Sequence, residues 1–422
     1  MNKIQMLIMM IATMVMCVGC QYTRMSLEEV AADTDAKIVI DEAEKEIING
    51  TNDFSFEMVK SFMAANKGKD FVISPLSVVY SLEIINNGAN GSTKQLLQKH
   101  LGASKYEQND VNSLWHKLMI RHAKVYENKK AGWKSAFLKS SNLLLYRDEH
   151  NINHNFIKTI GDDYFADCLP FVQQNDAQQI VDEWNKEMNH GIIKRIPLDF
   201  DESTNVCLIN TMLFKAAWSH EFEETEIDTF YVKNNDFRMV NMMWQRETEG
   251  HYKYMQNEQY SMLRMPYIGA FYMDVILPHK GIPIDSLMRK IDLNAYKKST
   301  QMLKKYDEIE VKFPKFHIQS EINLETLLSN MGLFELFSEK ANLSLMSNEP
   351  LYINKMRQKN DMNVDEKGTS AQAVTVTDIV LCEIATRDPE RAEFFANRPF
   401  FFFICDSFGT ICFAGTYNGF AE

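Results

Sequence analysis

Between Val364 and Leu381 the chain reads V-D-E-K-G-T-S-A-Q-A-V-T-V-T-D-I-V-L, and no other stretch restricts the fold so much. Every second residue from Thr369 gives Thr369, Ala371, Ala373, Thr375, Thr377, Ile379 and Leu381. The interleaved set is Ser370, Gln372, Val374, Val376, Asp378 and Val380. Successive side chains of a strand point to opposite faces, so one face is small and then apolar while the other is mixed. No proline breaks the run, and Asp378 is its one charge after Lys367. Yet Asp365-Glu366-Lys367-Gly368 in front and Arg387-Asp388-Pro389-Glu390-Arg391 behind carry loop chemistry. A strand fit for the middle of a sheet but set between exposed loops is a local conflict of the kind that marks function. An ordinary edge strand joining two loops fits the same pattern.

The 422 residues leave room for one large domain or two of ordinary size, and 45% hydrophobic with 24% charged residues is a globular composition. A net charge of -12 disfavours a nucleic-acid partner, which needs clustered Lys and Arg. Lys129-Lys130 and Lys304-Lys305 read as solvated surface. At the amino end Lys3 precedes an apolar run from Met6 to Val18 that closes on Gly19-Cys20-Gln21, the pattern of a secretory signal. Val18-Gly19-Cys20 resembles a bacterial lipobox, which implies that residues 1–20 form a lipoprotein signal and that Cys20 is acylated. Cys17 stands where that motif usually has Leu, and Gln21 resembles outer-membrane sorting. An uncleaved anchor is the weaker alternative, because about thirteen apolar residues fall short of a bilayer span. The expected location is therefore secreted: an outer-membrane lipoprotein facing the periplasm or the cell exterior, touching the membrane through its lipid.

Setting aside Cys17 and Cys20 leaves Cys168, Cys207, Cys382, Cys405 and Cys412, an odd set without repeated spacing. That argues against a disulfide framework and against a zinc site. Cys405 and Cys412 either face each other across a hairpin or stay as buried free thiols.

Residues 21–50 are acidic and polar, which suggests a tether that is partly helical and holds the domain off the membrane. Folding is expected to begin near Thr51, giving one domain over 51–422. Ser74-Pro75 opens a helix that Gly88 stops, since serine suits the cap and proline the first turn. Thr93 to Leu101 forms another, closed by Gly102, and Leu324 to Met331 a third, ended by Gly332. Asn205 to Lys215 is apolar enough for a strand covered on both sides. Glu308 to Gln319 alternates, with an interruption at Pro314, and Phe400 to Cys405 pairs with Ile411 to Tyr417 about Asp406-Ser407-Phe408-Gly409 as a hairpin. Helices dominate the first third and strands the last, without βαβ alternation, so the class is α+β.

The common catalytic signatures are missing from the sequence: G-x-S-x-G, H-E-x-x-H, G-x-x-x-x-G-K-[ST] and G-x-G-x-x-G. The ten histidines are scattered singly, and His150 with His154 lacks an accompanying carboxylate pattern. No metal or cofactor is expected, and the chain is not expected to be an enzyme. Cys168 or Cys207 with a distant histidine is the one hydrolase dyad worth testing.

Taken together the blocks resemble the serpins, protease inhibitors that insert a reactive loop into their own sheet. Asp70 to Ser77 (D-F-V-I-S-P-L-S) is similar to the family's N-x-x-x-S-P-x-S block, with Asp70 where Asn is usual. Gly88-Ala89 to Thr93 resembles its G-A-x-x-x-T turn, and Asn210 to Trp218 its N-x-x-x-F-K-x-x-W strand. Val240 to Met243, Met265-Pro266-Tyr267 and Phe313-Pro314-Lys315-Phe316 have counterparts as well. Asn363 to Thr369 resembles the proximal hinge, and Arg398-Pro399-Phe400 with Phe413-Ala414-Gly415 the closing strands. The blocks run in family order from about Asn52 to Tyr417.

The resemblance implies a large central sheet with two further sheets, about eight or nine helices and an exposed reactive loop. It implies irreversible suicide-substrate inhibition of serine or cysteine endopeptidases, with the cleaved loop (364–388) entering the sheet. The partner is then a target endopeptidase held as a covalent acyl complex, and the inhibitor acts as a monomer. A non-inhibitory serpin serving as a binding module is the alternative. Hinge residues would be Glu366, Gly368, Thr369, Ala371, Ala373 and Thr375, whose inserting side chains are small and uncharged. A buried unpaired charge would oppose entry. Gln372, where the family has alanine, would face the other way. Shutter and breach would involve Ser74, Ser77, Asn210, Gln358 and Trp218, with Gln358 where the family commonly has histidine. The glutamine amide both donates and accepts, so it keeps a network without a protonation switch. Counting fifteen residues from Gly368 puts the reactive bond at Cys382-Glu383. Counting back from Arg398-Pro399-Phe400 puts it near Arg387-Asp388, because Gly368 to Pro399 is longer than the family usually shows.

Overall fold

The computed structural model describes residues 25–34, 38–125, 127–128, 133–134, 137–188, 195–198, 200, 204–232, 236–248, 250–369 and 390–421. The chain opens with α1 (Leu27–Asp33) and α2 (Glu42–Ala65), then β1 (Phe71–Ile73), α3 (Pro75–Gly88), α4 (Gly91–His100) and α5 (Gln108–Ala123). There follow a short hairpin, β2 (Glu127–Asn128) and β3 (Trp133–Lys134), then β4 (Phe137–Arg147), α6 (His154–Tyr164), β5 (Ala166–Phe171) and α7 (Gln174–Met188). Strands come next: β6 (Val206–Ala217), β7 (Glu224–Tyr231), β8 (Phe237–Glu247), β9 (Lys253–Gln256), β10 (Tyr260–Pro266) and β11 (Phe271–Pro278). After α8 (Ile284–Met288) and α9 (Leu293–Met302) run β12 (Glu308–Pro314), β13 (Phe316–Asn323) and α10 (Leu324–Leu328). The chain closes with β14 (Lys355–Asp365), β15 (Gly368–Thr369), β16 (Arg391–Phe395), β17 (Phe400–Asp406) and β18 (Ile411–Tyr417).

Three sheets carry the fold. The main one is ordered β13-β14-β15-β6-β4-β5, a second β1-β18-β17-β11-β10-β9, and a four-stranded one β16-β12-β8-β7. The expected α+β class holds. Ten α-helices occur among the described residues, against the eight or nine expected. One of the ten, α8, spans five residues, too short for a helical period to register in the sequence, whereas the helix expected from Leu324 is present as α10 and continues through a π-helical turn, Ser329–Leu333.

Helix α3 is buried on every side because it runs through the middle of the molecule. Leu76, Val78, Val79, Leu82, Ile84 and Ile85 are all buried. The Ser74 hydroxyl caps it by accepting from Ser77 N at 3.3 Å, and Pro75 fills the first turn. The inner face of the main sheet (Leu144, Leu208, Met212, Phe214) joins this core. Its outer face is covered by α7, whose Ala177, Val181 and Trp184 pack on Leu143 and Leu145 of β4 and on Cys207 and Ile209 of β6.

The acidic stretch before residue 51 departs from the expected tether. In α1, Leu27 and Ala31 are buried, and Ile47 and Ile48 of α2 are buried too, so the anticipated boundary at 50/51 falls inside a continuous 24-residue helix. Two reciprocal capping boxes start these helices, Ser26 with Glu29 and Asp41 with Glu44. Acidic composition concealed an apolar face that docks. Among the described residues no helix is long and apolar enough to cross a membrane.

Candidate functional site

The site is the seam between β6 and β14. At one end these strands pair directly and in parallel: Lys355 with Cys207, Met356 with Leu208 and Arg357 with Ile209. At the other end β15 lies between them, antiparallel to both. Thr369 stands opposite Val364 and Ala216, and Gly368 opposite Asp365 and Ala217. Between the two ends, Gln358–Asn363 of β14 and Asn210–Lys215 of β6 share no pairing among the described residues. Each of those stretches is paired only on its far side, to β13 and to β4. A run of unpaired backbone inside a sheet accepts another strand.

Local chemistry holds the entrance open. Asp365 turns the chain by accepting at Oδ1 from Lys367 N (3.0 Å) and Gly368 N (3.2 Å). Gly368 has φ +152°, and a Cβ there would lie 2.1 Å from the Ala216 carbonyl oxygen, so only glycine lets β15 approach β6. Trp218 sits beside this turn. Its amide donates to Lys367 O (2.9 Å), its indole N–H to Asp365 O (3.0 Å), and its ring stacks on Tyr267 at 4.2 Å. The Tyr267 hydroxyl in turn meets the buried Thr369 hydroxyl at 2.6 Å. Trp218, Glu366, Gly368 and Thr369 are thus brought together.

Glu366 ties the turn to its surroundings. It accepts from Thr225 Oγ1 (2.6 Å), pairs with Lys315 Nζ (3.0 Å), and its carbonyl receives Phe222 N (2.9 Å). Burial works to raise the Glu366 carboxyl, but the hydrogen bonds from Thr225 and Lys315 outweigh it and hold the pKa below the ordinary 4.5. A carboxylate with a depressed folded pKa contributes stability that is complete above the unfolded value and is lost as pH falls through the folded one. Glu366→Gln is therefore expected to lower stability by about 1 kcal/mol near neutrality, with the difference vanishing below about pH 4. Paired thermal melts of the two proteins between pH 3 and 7 check this, and a gap that widens in acid refutes it.

Lower in the seam, Gln358 receives Ser74 N at 3.0 Å and donates to Ser74 O at 2.8 Å, imitating a strand pairing with the start of α3. Asn360 donates to Gln358 Oε1 (2.8 Å). On the β6 side Asn210 receives the Ser77 hydroxyl and donates to Ser140 Oγ (3.0 Å) and Asn142 Oδ1. Ser74 Oγ donates to Cys412 O at 2.8 Å. Ser74, Ser77, Asn210 and Gln358 therefore lie close together, with Gln358 bonded to the backbone of Ser74 at the start of α3. Both strands are pinned to the first turn of α3, β14 through the Ser74 backbone and β6 through Ser77 and a contact of the Ser74 hydroxyl with Met212 Sδ at 3.1 Å. A small cavity of ≈ 20 Å³ lies here, lined by residues that include Asn210, Thr211, Arg357 and Gln358.

Ala371, Ala373, Thr375, Cys382, Glu383, Arg387 and Asp388 lie outside the described residues, as does Cys20. The hydrolase dyad fails on its thiols: burial pushes Cys168 and Cys207 each up to about 12, which keeps them protonated. Cys405 and Cys412 are buried and free, with no disulfide between them. One contact was hidden in the sequence. Asp70, where an Asn was the expected residue, accepts from the amides of Asn418, Phe420 (2.7 Å) and Ala421 and so fastens the last strand's exit.

Comparison with known proteins agrees with this geometry. The family model described as Serpin (serine protease inhibitor) matches residues 49–419. The chain is 28% identical over 371 residues to serine proteinase inhibitor 1 of vaccinia virus, covering 86% of this chain and 99% of that one. It is 26% identical over 378 residues to human neuroserpin, covering 86% and 89%. Among solved structures, human thyroxine-binding globulin complexed with its hormone superposes with a TM-score of 0.78 at 21% identity, covering 90% of this chain and all of that one. The thermophilic serpin tengpin in its native state gives 0.77 at 25% identity, covering 93% and 98%. The protein is a member of the serpin family, with the serpin fold.

Proposed function

We propose that this serpin is an irreversible inhibitor of extracellular serine or cysteine endopeptidases. A target cleaves the loop after Thr369 and is held as an acyl-enzyme while the freed strand enters the seam. The observation that carries the reading is β15, two loop residues already in place above a run of unpaired backbone. If the cleaved loop continued the register of β15, Ala371 would stand between Met362 and Phe214, Ala373 between Asn360 and Met212, and Thr375 between Gln358 and Asn210. Those neighbours are buried on the inner face of the sheet, where only small uncharged side chains fit. Gln372 would pass opposite Asp361 and Leu213 on the outer face. Relatives named serine proteinase inhibitors support the inhibitory reading. We place the reactive bond at Cys382-Glu383, with Arg387-Asp388 as the second choice.

A binding module without inhibition is the second reading, favoured by the superposition on a hormone-complexed globulin. For location we propose cleavage after residue 20, acylation of Cys20, and a monomer displayed at the outer membrane of a bacterium. The test is to mix the chain from residue 21 with a panel of serine and cysteine endopeptidases on denaturing gels. A covalent band at the summed mass, with a released C-terminal peptide whose first residue gives the cleaved bond, is the expected result. Cleavage by every protease without such a band would leave the binding module.

A further inference from the structure

Lys139 of β4 is a buried lysine inside the main sheet, its side chain 8% exposed. It lies on the outer face, opposite Leu213 of β6, beside the path that residue 372 would take. Its ammonium donates to the carbonyl of Met188 at 2.6 Å, at the C-terminal end of α7 where the helix dipole favours a cation. Its second partner is the carboxylate of Glu28 on α1. Helix α1 is itself held to the body: Leu27 and Ala31 are buried, Lys124 of the α5 C-cap donates to Thr34 O, and Lys117 of α5 bonds Val39 O (3.3 Å) and Glu44. The following helix, α2, is rooted in the rear core, where Phe56 packs on Phe403 of β17 at 5.0 Å.

Entry of a strand between β6 and β14 must move the Cys207–Ile209 end of β6, with β4 and the overlying α7, by about one strand spacing, roughly 4.8 Å, away from β14, and the Leu213 level by less, because β15 already parts the strands above it. The Glu28–Lys139 pair joins that moving half to α1, which is held by α5, a helix that itself packs on β4, and by α2, which is rooted in the rear core. We propose that Lys139 is a positioning residue that restrains insertion, with Glu28 as its counterpart, so that the segment before the family domain sets how readily the seam opens. Stretching the pair would leave a buried ammonium with Met188 O as its remaining partner, which opposes the movement. The proposal rests on the insertion reading but not on any target protease.

The test offers a free peptide copying residues 369–381 to the chain from residue 21, as wild type, Glu28→Gln and Glu28→Lys. Uptake is followed well below the melting temperature on native gels. Glu28 is 44% exposed, so neither substitution buries a new group in the core. Glu28→Gln is expected to take up peptide about fivefold faster, which is about 1 kcal/mol at 1.36 kcal/mol per decade, and Glu28→Lys faster still. Their peptide-free melting temperatures are expected to stay within about 2 °C of wild type. Equal uptake rates, or a lower melting temperature with unchanged uptake, would overturn the proposal. No uptake by any of the three proteins would overturn it together with the insertion reading.

Discussion

Nicking the chain between Leu381 and Pro389 is expected to raise its melting temperature by roughly 12 °C without loss of either fragment. The register of β15 dictates the scale. Continuing it fills the unpaired backbone of Gln358–Asn363 and Asn210–Lys215 and then replaces the direct pairing of Lys355–Arg357 with Cys207–Ile209. About a dozen residues gain hydrogen bonds worth roughly 1 kcal/mol net apiece, on the order of 10 kcal/mol in all. Unfolding entropy of about 2.1 cal/mol/K per residue over a chain of this size converts that to roughly 1.2 °C per kcal/mol. The measurement is a pair of thermal melts before and after limited proteolysis, with the fragments identified by mass. A nicked protein that melts no higher than the intact one would mean that the seam stays shut, and the inhibitory reading would fall with it.

Thr369→Arg is expected to turn the protein from an inhibitor into a substrate. Thr369 is 1% exposed, with its hydroxyl on Tyr267, whose ring is covered by Trp218 and stands edge-on to Phe214. A guanidinium forced there without a partner costs several kcal/mol. The intact fold can yield by withdrawing a two-residue strand, so the variant should still be produced folded. Insertion cannot avoid the position, because it follows from β15 downward. A barrier raised by about 3 kcal/mol slows entry roughly a hundredfold, enough for an acyl-enzyme to hydrolyse first. Titration against a protease that the wild type traps should show the loop cut and the enzyme released. Undiminished covalent complex would show that the hinge does not have to enter.

Much of this fold is legible in the sequence. The Ser74-Pro75 start and Gly88 stop delimit α3 as observed, and the apolar run from Asn205 became β6 with one more turn of the pleat. The hairpin about Asp406 to Gly409 is present, and Pro314 ends β12 before β13 continues beyond it. These signals are local: caps, punctuation and period. What escaped depended on distant partners. The acidic count of residues 21–50 outweighed the few apolar positions that dock α1 and α2, although both capping boxes were written in the sequence. Lys139 left a trace as a lysine within an apolar strand, but its partners lie on α1 and α7. Gln358 was recognised as a replacement for histidine. Its partner, the Ser74 backbone, follows from where α3 begins, which no pairwise pattern encodes.

The short parallel weld at Lys355–Arg357 and Cys207–Ile209 divides the loop's journey into two legs. Residues 370 to 375 would glide into vacant ladder, whereas residues 376 to 378 must unzip an existing one. Under the proposed inhibitory function a captured protease would be in a race whose slow stretch comes last. A fast deacylator would escape from the halfway point and a slow one would not, so the breadth of enzymes trapped would be set as much by three rungs at the far end of the sheet as by the residue at the cut.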